Sequence, residues 1–389
     1  METNYLVLLA IVLLIPTIII HLTKKLKYPL LLYILLAGLI MNRVVSLINV
    51  TLPIELGRLL ITIAVIALLF EIYAKIKIKH SDYFYTASLK VTLFVIVLSS
   101  LTITFLIKYL YSIENIFTAL IPAVLICATS YSLFELQDRK WFVTRIQSYL
   151  ETESIISPAL TVALACIFGA FAAAVVIKDS AIMITLPYLT FFIKMIIGIG
   201  TGVVIGIILS KYFCGLLKSR LLFVFLFGVI IATYILTEAL KGSGIVAVII
   251  MSTFFGNMYL THKEEKNMVT KIYNNLLYVF LFVFLSFYIQ IPYEISFYGK
   301  AFIVFIAYIL IRLIACFILL PNDYSTAAKM QITLMMAKEI DIILIGFFLL
   351  LNQTIIQSSL IASLLIIITV YSIIVSLVSI RFSKFQIKV

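Results

Sequence analysis

Residues 328–351 read AKMQITLMMAKEIDIILIGFFLLL, with Lys338-Glu339-Ile340-Asp341 set inside an otherwise apolar run. The run is about as long as a helix needs to cross a hydrocarbon core, roughly 20 residues. Three charges within four residues cannot all face lipid, because each ionisable group there costs about 3 kcal/mol or more. Such a segment has to turn its charges toward other helices, so it belongs to a bundle of spans. Lys338 and Asp341 share a helix face at i and i+3, which suits either a local neutralising pair or work on an ion. Glu339 and Asp341 lie about 200° apart and cannot both face one cavity unless the helix unwinds.

The rest of the chain agrees. Its 389 residues are 64% hydrophobic and only 12% charged, with a mean hydropathy of +1.23. Soluble proteins carry about 45–50% apolar and about 25% charged residues, and charged residues must cover their outside. Disordered chains are polar and charge-rich. A polytopic, all-α membrane protein remains. The net charge of +12 then reflects basic loops facing anionic lipid rather than nucleic acid. Cys127, Cys166, Cys214 and Cys316 lie in or beside apolar runs without ligand spacing, and His21, His80 and His262 are scattered in loops. No metal cluster or disulfide framework is indicated.

Apolar runs between charged or turn-forming residues give 13 spans, near 5–21, 29–47, 54–73, 88–110, 116–135, 150–177, 182–211, 220–238, 243–260, 273–291, 297–320, 328–351 and 355–380. The first lacks the basic start and small-residue cleavage site of a signal peptide and reads as a span. With the N-terminus outside, loops assigned to the inside hold 20 of the 29 Lys and Arg residues, and outside loops hold six. The positive-inside rule therefore supports 13 spans with the C-terminus in the cytoplasm. Six spans, a linker span and six more place the halves in opposite orientations, the arithmetic of an inverted repeat.

Polar residues inside the spans mark candidate sites. The fifth span carries clustered hydroxyls at Thr129, Ser130 and Ser132, which can replace backbone hydrogen bonds where a helix unwinds. The sixth opens Leu150-Glu151-Thr152-Glu153-Ser154-Ile155-Ile156-Ser157-Pro158. Pro158 frees a carbonyl four residues earlier and points to irregular backbone. Small residues in the ninth span, Gly242-Ser243-Gly244 through Gly256-Asn257, suit close helix packing. Lys194 and Arg312 sit alone in their spans, where snorkelling or a helix contact competes with a role on substrate.

Taken in order, these segments resemble the monovalent cation:proton antiporter superfamily, the sodium/proton exchangers. Leu68-Leu69-Phe70-Glu71, Ala128-Thr129-Ser130, Leu150 to Ile155, and Gly242-Ser243-Gly244-Ile245-Val246-Ala247 through Gly256-Asn257 are similar to its motifs. The resemblance implies interrupted helices 5 and 12 that cross near mid-membrane. It also implies a scaffold near 5–73 and 182–291, a moving core near 88–177 and 297–380, and a homodimer. Lys338 stands where the family has a Lys or Arg, and the family pairing carries over as Glu153–Lys338. The chain departs from the pattern where the family has Asn-Asp or Asp-Asp, here Ser157 and Pro158, and Ser130 replaces the Asp after Thr129.

The function this implies is exchange of sodium or potassium for protons by a secondary transporter in the plasma membrane. Its ion site would draw on Thr129, Ser130, Glu153, Ser154, Ser157 and Asp341, with Glu339 and Arg312 as secondary candidates. A buried carboxylate is needed for cation and proton to compete, and Asp341 lies deeper in its span than Glu339. A transport-inactive homologue serving as a membrane binding or regulatory module is the alternative that the missing Asp motivates. A lipid-linked sugar flippase leaves Leu150 to Ile155 and Gly242-Ser243-Gly244 unexplained. No nucleotide-binding loop or nucleophile triad appears, so no enzyme, cofactor, nucleic acid or metal beyond the transported cation is expected.

Overall fold

A computed structural model describes residues 14–22, 30–48, 53–74, 83–129, 144–176, 185–212, 219–258, 263–289, 292, 294–321, 323–338, 340–351 and 357–386. All regular structure among them is helical. After helical residues 14–22 come α1 (Leu30–Ile48), α2 (Ile54–Ala74), α3 (Tyr83–Tyr111), α4 (Ile116–Leu125), α5 (Thr144–Val176), α6 (Thr185–Tyr212) and α7 (Ser219–Ala239). They are followed by α8 (Gly244–Met258), α9 (Lys263–Phe287), α10 (Ile295–Leu319), α11 (Thr326–Leu334), α12 (Ile340–Leu351) and α13 (Ser358–Gln386). Every one of the 13 spans read from the sequence contains a helix. Six helices among the described residues are long and apolar enough to cross a membrane. The protein is an all-α, polytopic membrane protein.

Two compact units form. One comprises residues 1–57, 81–172 and 281–389, and the other residues 58–80 and 173–280. In the smaller unit α8 packs on α6 and α7. The packing is tight because glycines remove side chains at the contact. A Cβ on Gly198 would lie 2.7 Å from the carbonyl oxygen of Ser243, and one on Gly202 would lie 2.6 Å from that of Ala247. The Glu238 carboxylate accepts from the Gly244 N–H at 2.9 Å and so caps the start of α8.

The larger unit holds the two features that build the site. At about 1.5 Å per residue, the 10 residues of α4 rise only about 15 Å, half of a roughly 30 Å hydrocarbon core. The helix starts on Asn115, whose side chain accepts from the Phe117 N–H at 3.0 Å. It closes in a tightened turn, with the Cys127 and Ala128 N–H groups bonding Val124 and Leu125 carbonyls at 2.9 and 3.1 Å. The second feature is the break in the stretch 328–351. α11 is capped by Ser325, which accepts from the Ala328 N–H at 3.2 Å. Residues 335–338 are non-helical, and α12 begins at Ile340. Ser372 and Ser376 of α13 serve the break, accepting from the Lys338 N–H at 3.2 Å and donating to the Leu334 carbonyl at 3.3 Å.

The sixth span differs from expectation. α5 runs as a helix through Pro158 rather than breaking there. The loss of one backbone bond is tolerated inside a packed bundle, and Thr161 Oγ1 adds bonds to the Ser157 and Pro158 carbonyls at 2.9 and 3.2 Å.

Candidate functional site

The Ile126 and Ala128 carbonyls lie past the last residue of α4, where an unsatisfied carbonyl in a membrane interior would be costly. Lys338, from the break between α11 and α12, meets the need. Its ammonium donates to the Ala128 carbonyl at 2.8 Å and to that of Ile126. Its Nζ lies 4.1 Å from the centre of the Tyr308 ring of α10, a cation–π contact. The side chain is 2% exposed. The two breaks therefore meet, one supplying carbonyl dipoles and the other a cation.

Thr129 and Ser157 close the next layer. Ser157 Oγ accepts from the Thr129 N–H at 2.7 Å, lies 3.0 Å from Thr129 Oγ1 and donates to the Cys127 carbonyl at 3.3 Å. A neutral hydroxyl thus ties the non-helical segment 126–129 to α5. Asp341 is buried in the first turn of α12, where the helix dipole favours negative charge.

Glu153 differs from the expectation. The Glu153–Lys338 pair is not what forms; the carboxylate pairs with Arg312 of α10. Arg312 Nη1 donates to Oε1 at 2.5 Å and Nη2 to Oε2 at 2.8 Å. The guanidinium also donates to the Ile332 carbonyl in the last turn of α11, at 3.1 Å from Nη2 and 3.4 Å from Nε. The reason is geometric. A planar fork matches both carboxylate oxygens and keeps donors for a carbonyl, whereas an ammonium is a point charge. Arg312 was legible as an ionisable residue inside a span; sequence spacing alone says nothing of which cation Glu153 meets.

The remaining candidates fall outside this cluster. Ser154 Oγ donates to the Glu151 carbonyl of its own helix at 2.8 Å. Ser130 and Glu339 lie outside the described residues. Among the described residues no group of three or more His, Cys, Asp or Glu side chains is placed to hold a metal. The arrangement gathers carbonyl and hydroxyl oxygens, which can replace the hydration shell of a cation.

Comparison with known proteins agrees with this picture. A search of curated proteins finds no match. The sodium proton antiporter MjNhaP1 from Methanocaldococcus jannaschii, solved at pH 8, aligns with a TM-score of 0.69 and 18% identity, covering 98% of this chain and 96% of that one. An electron-microscopy structure of the same antiporter aligns with a TM-score of 0.66 and 16% identity, over 97% and 95% of the two chains. The likeness extends to the whole fold. The transmembrane sodium/hydrogen exchanger family matches residues 9–383. This chain, with its two helix breaks meeting in the membrane interior, belongs to the sodium/hydrogen exchanger family of secondary transporters.

Proposed function

We propose that the protein exchanges a monovalent cation, sodium or potassium, for protons across the plasma membrane, with the N-terminus outside and the C-terminus in the cytoplasm. The observation that carries the reading is the meeting of the breaks at 126–129 and 335–338. There, half-helix carbonyls, the Thr129 and Ser157 hydroxyls and the charges of Lys338 and Asp341 are buried together. Asp341 is the carboxylate that draws the cation in place of the one missing at Ser157-Pro158. The spans near 88–177 and 297–380 carry the site and move against those near 5–73 and 182–291, in a homodimer.

The test is dissipation of a pH gradient in proteoliposomes on adding sodium, potassium or lithium. Cation-dependent proton flux that falls at least tenfold in Asp341→Asn supports the reading. Flux unchanged by Asp341→Asn removes that residue from the site.

One observation favours a second reading, a transport-inactive homologue that binds or regulates in the membrane. Ser157 is engaged by Thr129 and by the Cys127 carbonyl, so a neutral network fills the place where relatives of this pattern have a carboxylate. No proton flux with any of the three cations supports this reading instead.

A further inference from the structure

With Ser157 and Pro158 of α5 in place of a carboxylate beside the helix break, the group that sits on the carbonyls is itself a cation. The Lys338 ammonium donates to the Ile126 and Ala128 carbonyls, which belong to the turn that ends α4. Those same oxygens, at the C-terminal end of a half-helix, are what an alkali cation seeks in a membrane interior. Arg312, another buried cation of this unit, is held through two nitrogens by the Glu153 carboxylate. Lys338 has no such clamp among its hydrogen bonds, and its backbone is tied by Ser372 while its head group faces main-chain dipoles and the Tyr308 ring.

From this geometry we infer that the Ile126 and Ala128 carbonyls form the cation site and that the Lys338 ammonium is its internal competitor, the group that carries the exchanged proton. The inference rests on the exchange reading above and names the residue that couples it. When an alkali cation enters, the N–H bond of the ammonium breaks, the proton leaves to the aqueous side from which the cation came, and the neutral amine gives up the carbonyls. When a proton returns, the ammonium displaces the cation. One positive charge occupies the site in either state, so the exchange is one for one and electrically neutral. A lysine can serve here because its charge is readily lost on burial, whereas a guanidinium keeps its proton.

The titratable and charged groups around the ammonium are Cys127 of the α4 turn, Tyr308 and Arg312 of α10, Glu153 of α5 and Asp341 of α12. Glu153 and Arg312 neutralise each other. Asp341 adds a negative charge that favours a positive ion, ammonium or alkali cation, at the crossing.

The experiment uses the full chain purified in detergent, in weakly buffered solution with a pH-reporting dye. Sodium or potassium chloride is added, with choline chloride at equal ionic strength as the baseline. Wild-type protein should release close to one proton per bound cation, and Lys338→Arg should release none above baseline. Release from Lys338→Arg equal to wild type overturns the inference and leaves the exchange reading standing on another group. No release from wild type also overturns it, and the proteoliposome flux then decides separately whether exchange itself survives. A measurement on the unaltered protein guards against a misfolded variant. Reductive methylation needs a neutral amine, so methylation of Lys338, read by mass spectrometry, should rise several-fold in sodium over choline. Equal methylation in the two salts, in protein that binds sodium, contradicts the assignment.

Discussion

The two half-helices that end inside the larger unit are finished by different cations. At the end of α11 the Arg312 guanidinium donates to the Ile332 carbonyl while its fork is filled by Glu153. At the end of α4 the Lys338 ammonium donates to the Ile126 and Ala128 carbonyls with a tyrosine ring above it. Both arrangements satisfy carbonyls of buried residues. The first is a closed set, with a bidentate ion pair and all three guanidinium nitrogens donating. The second holds an ammonium against neutral main-chain dipoles. In the proposed exchange, the α10–α5–α11 corner is the locked part and the crossing is the part that exchanges.

The largest effect should come from breaking the closed set. Removing one partner of a buried pair leaves an uncompensated charge and costs about 3–5 kcal/mol. Arg312→Met should therefore sharply lower the thermal stability of the detergent-purified protein, and adding Glu153→Gln should recover much of the loss. Equal and additive losses would mean that the pair contributes nothing as a pair. Lys338→Met comes next. It strips donors from two buried carbonyls, each worth about 1–3 kcal/mol when left unsatisfied, so it should destabilise less than Arg312→Met and couple more weakly to Glu153→Gln. Stronger coupling of Glu153 to Lys338 than to Arg312 in that cycle would reverse the comparison. Ser157→Ala is the smallest. It removes neutral hydrogen bonds to the Thr129–Cys127 segment and should cost about 1 kcal/mol, read as a small drop in melting temperature.

The sequence carried much of this molecule because a membrane makes residues declare themselves. Each of the 13 runs that charged punctuation marked off contains a helix, and Lys338-Glu339-Ile340-Asp341 marked the segment that breaks between Leu334 and Ile340. Helix ends were less legible. α5 begins at Thr144 and α9 at Lys263, well before the apolar runs that start at 150 and 273. Hydropathy reports the thickness of the hydrocarbon, whereas a helix continues into the polar boundary as long as its backbone bonds are made. Pro158 was misleading for a related reason, since α5 continues as a helix through a single lost bond. The choice between Arg312 and Lys338 as the partner of Glu153 was hidden as well. It depends on which elements meet across 159 residues of chain, and one sequence carries no trace of that.

Exchanging the chemistry of the two cations tests the account most directly. Lys338→Arg keeps a positive charge at the crossing but one that does not release its proton. Arg312→Lys keeps a charge beside Glu153 but loses the fork. In proteoliposomes carrying a pH gradient, sodium- or potassium-driven proton flux should vanish in folded Lys338→Arg. In Arg312→Lys it should remain detectable, with the damage appearing as lowered thermal stability. Full flux from Lys338→Arg, or loss of flux confined to a folded and stable Arg312→Lys, would contradict the division between a locked corner and an exchanging crossing.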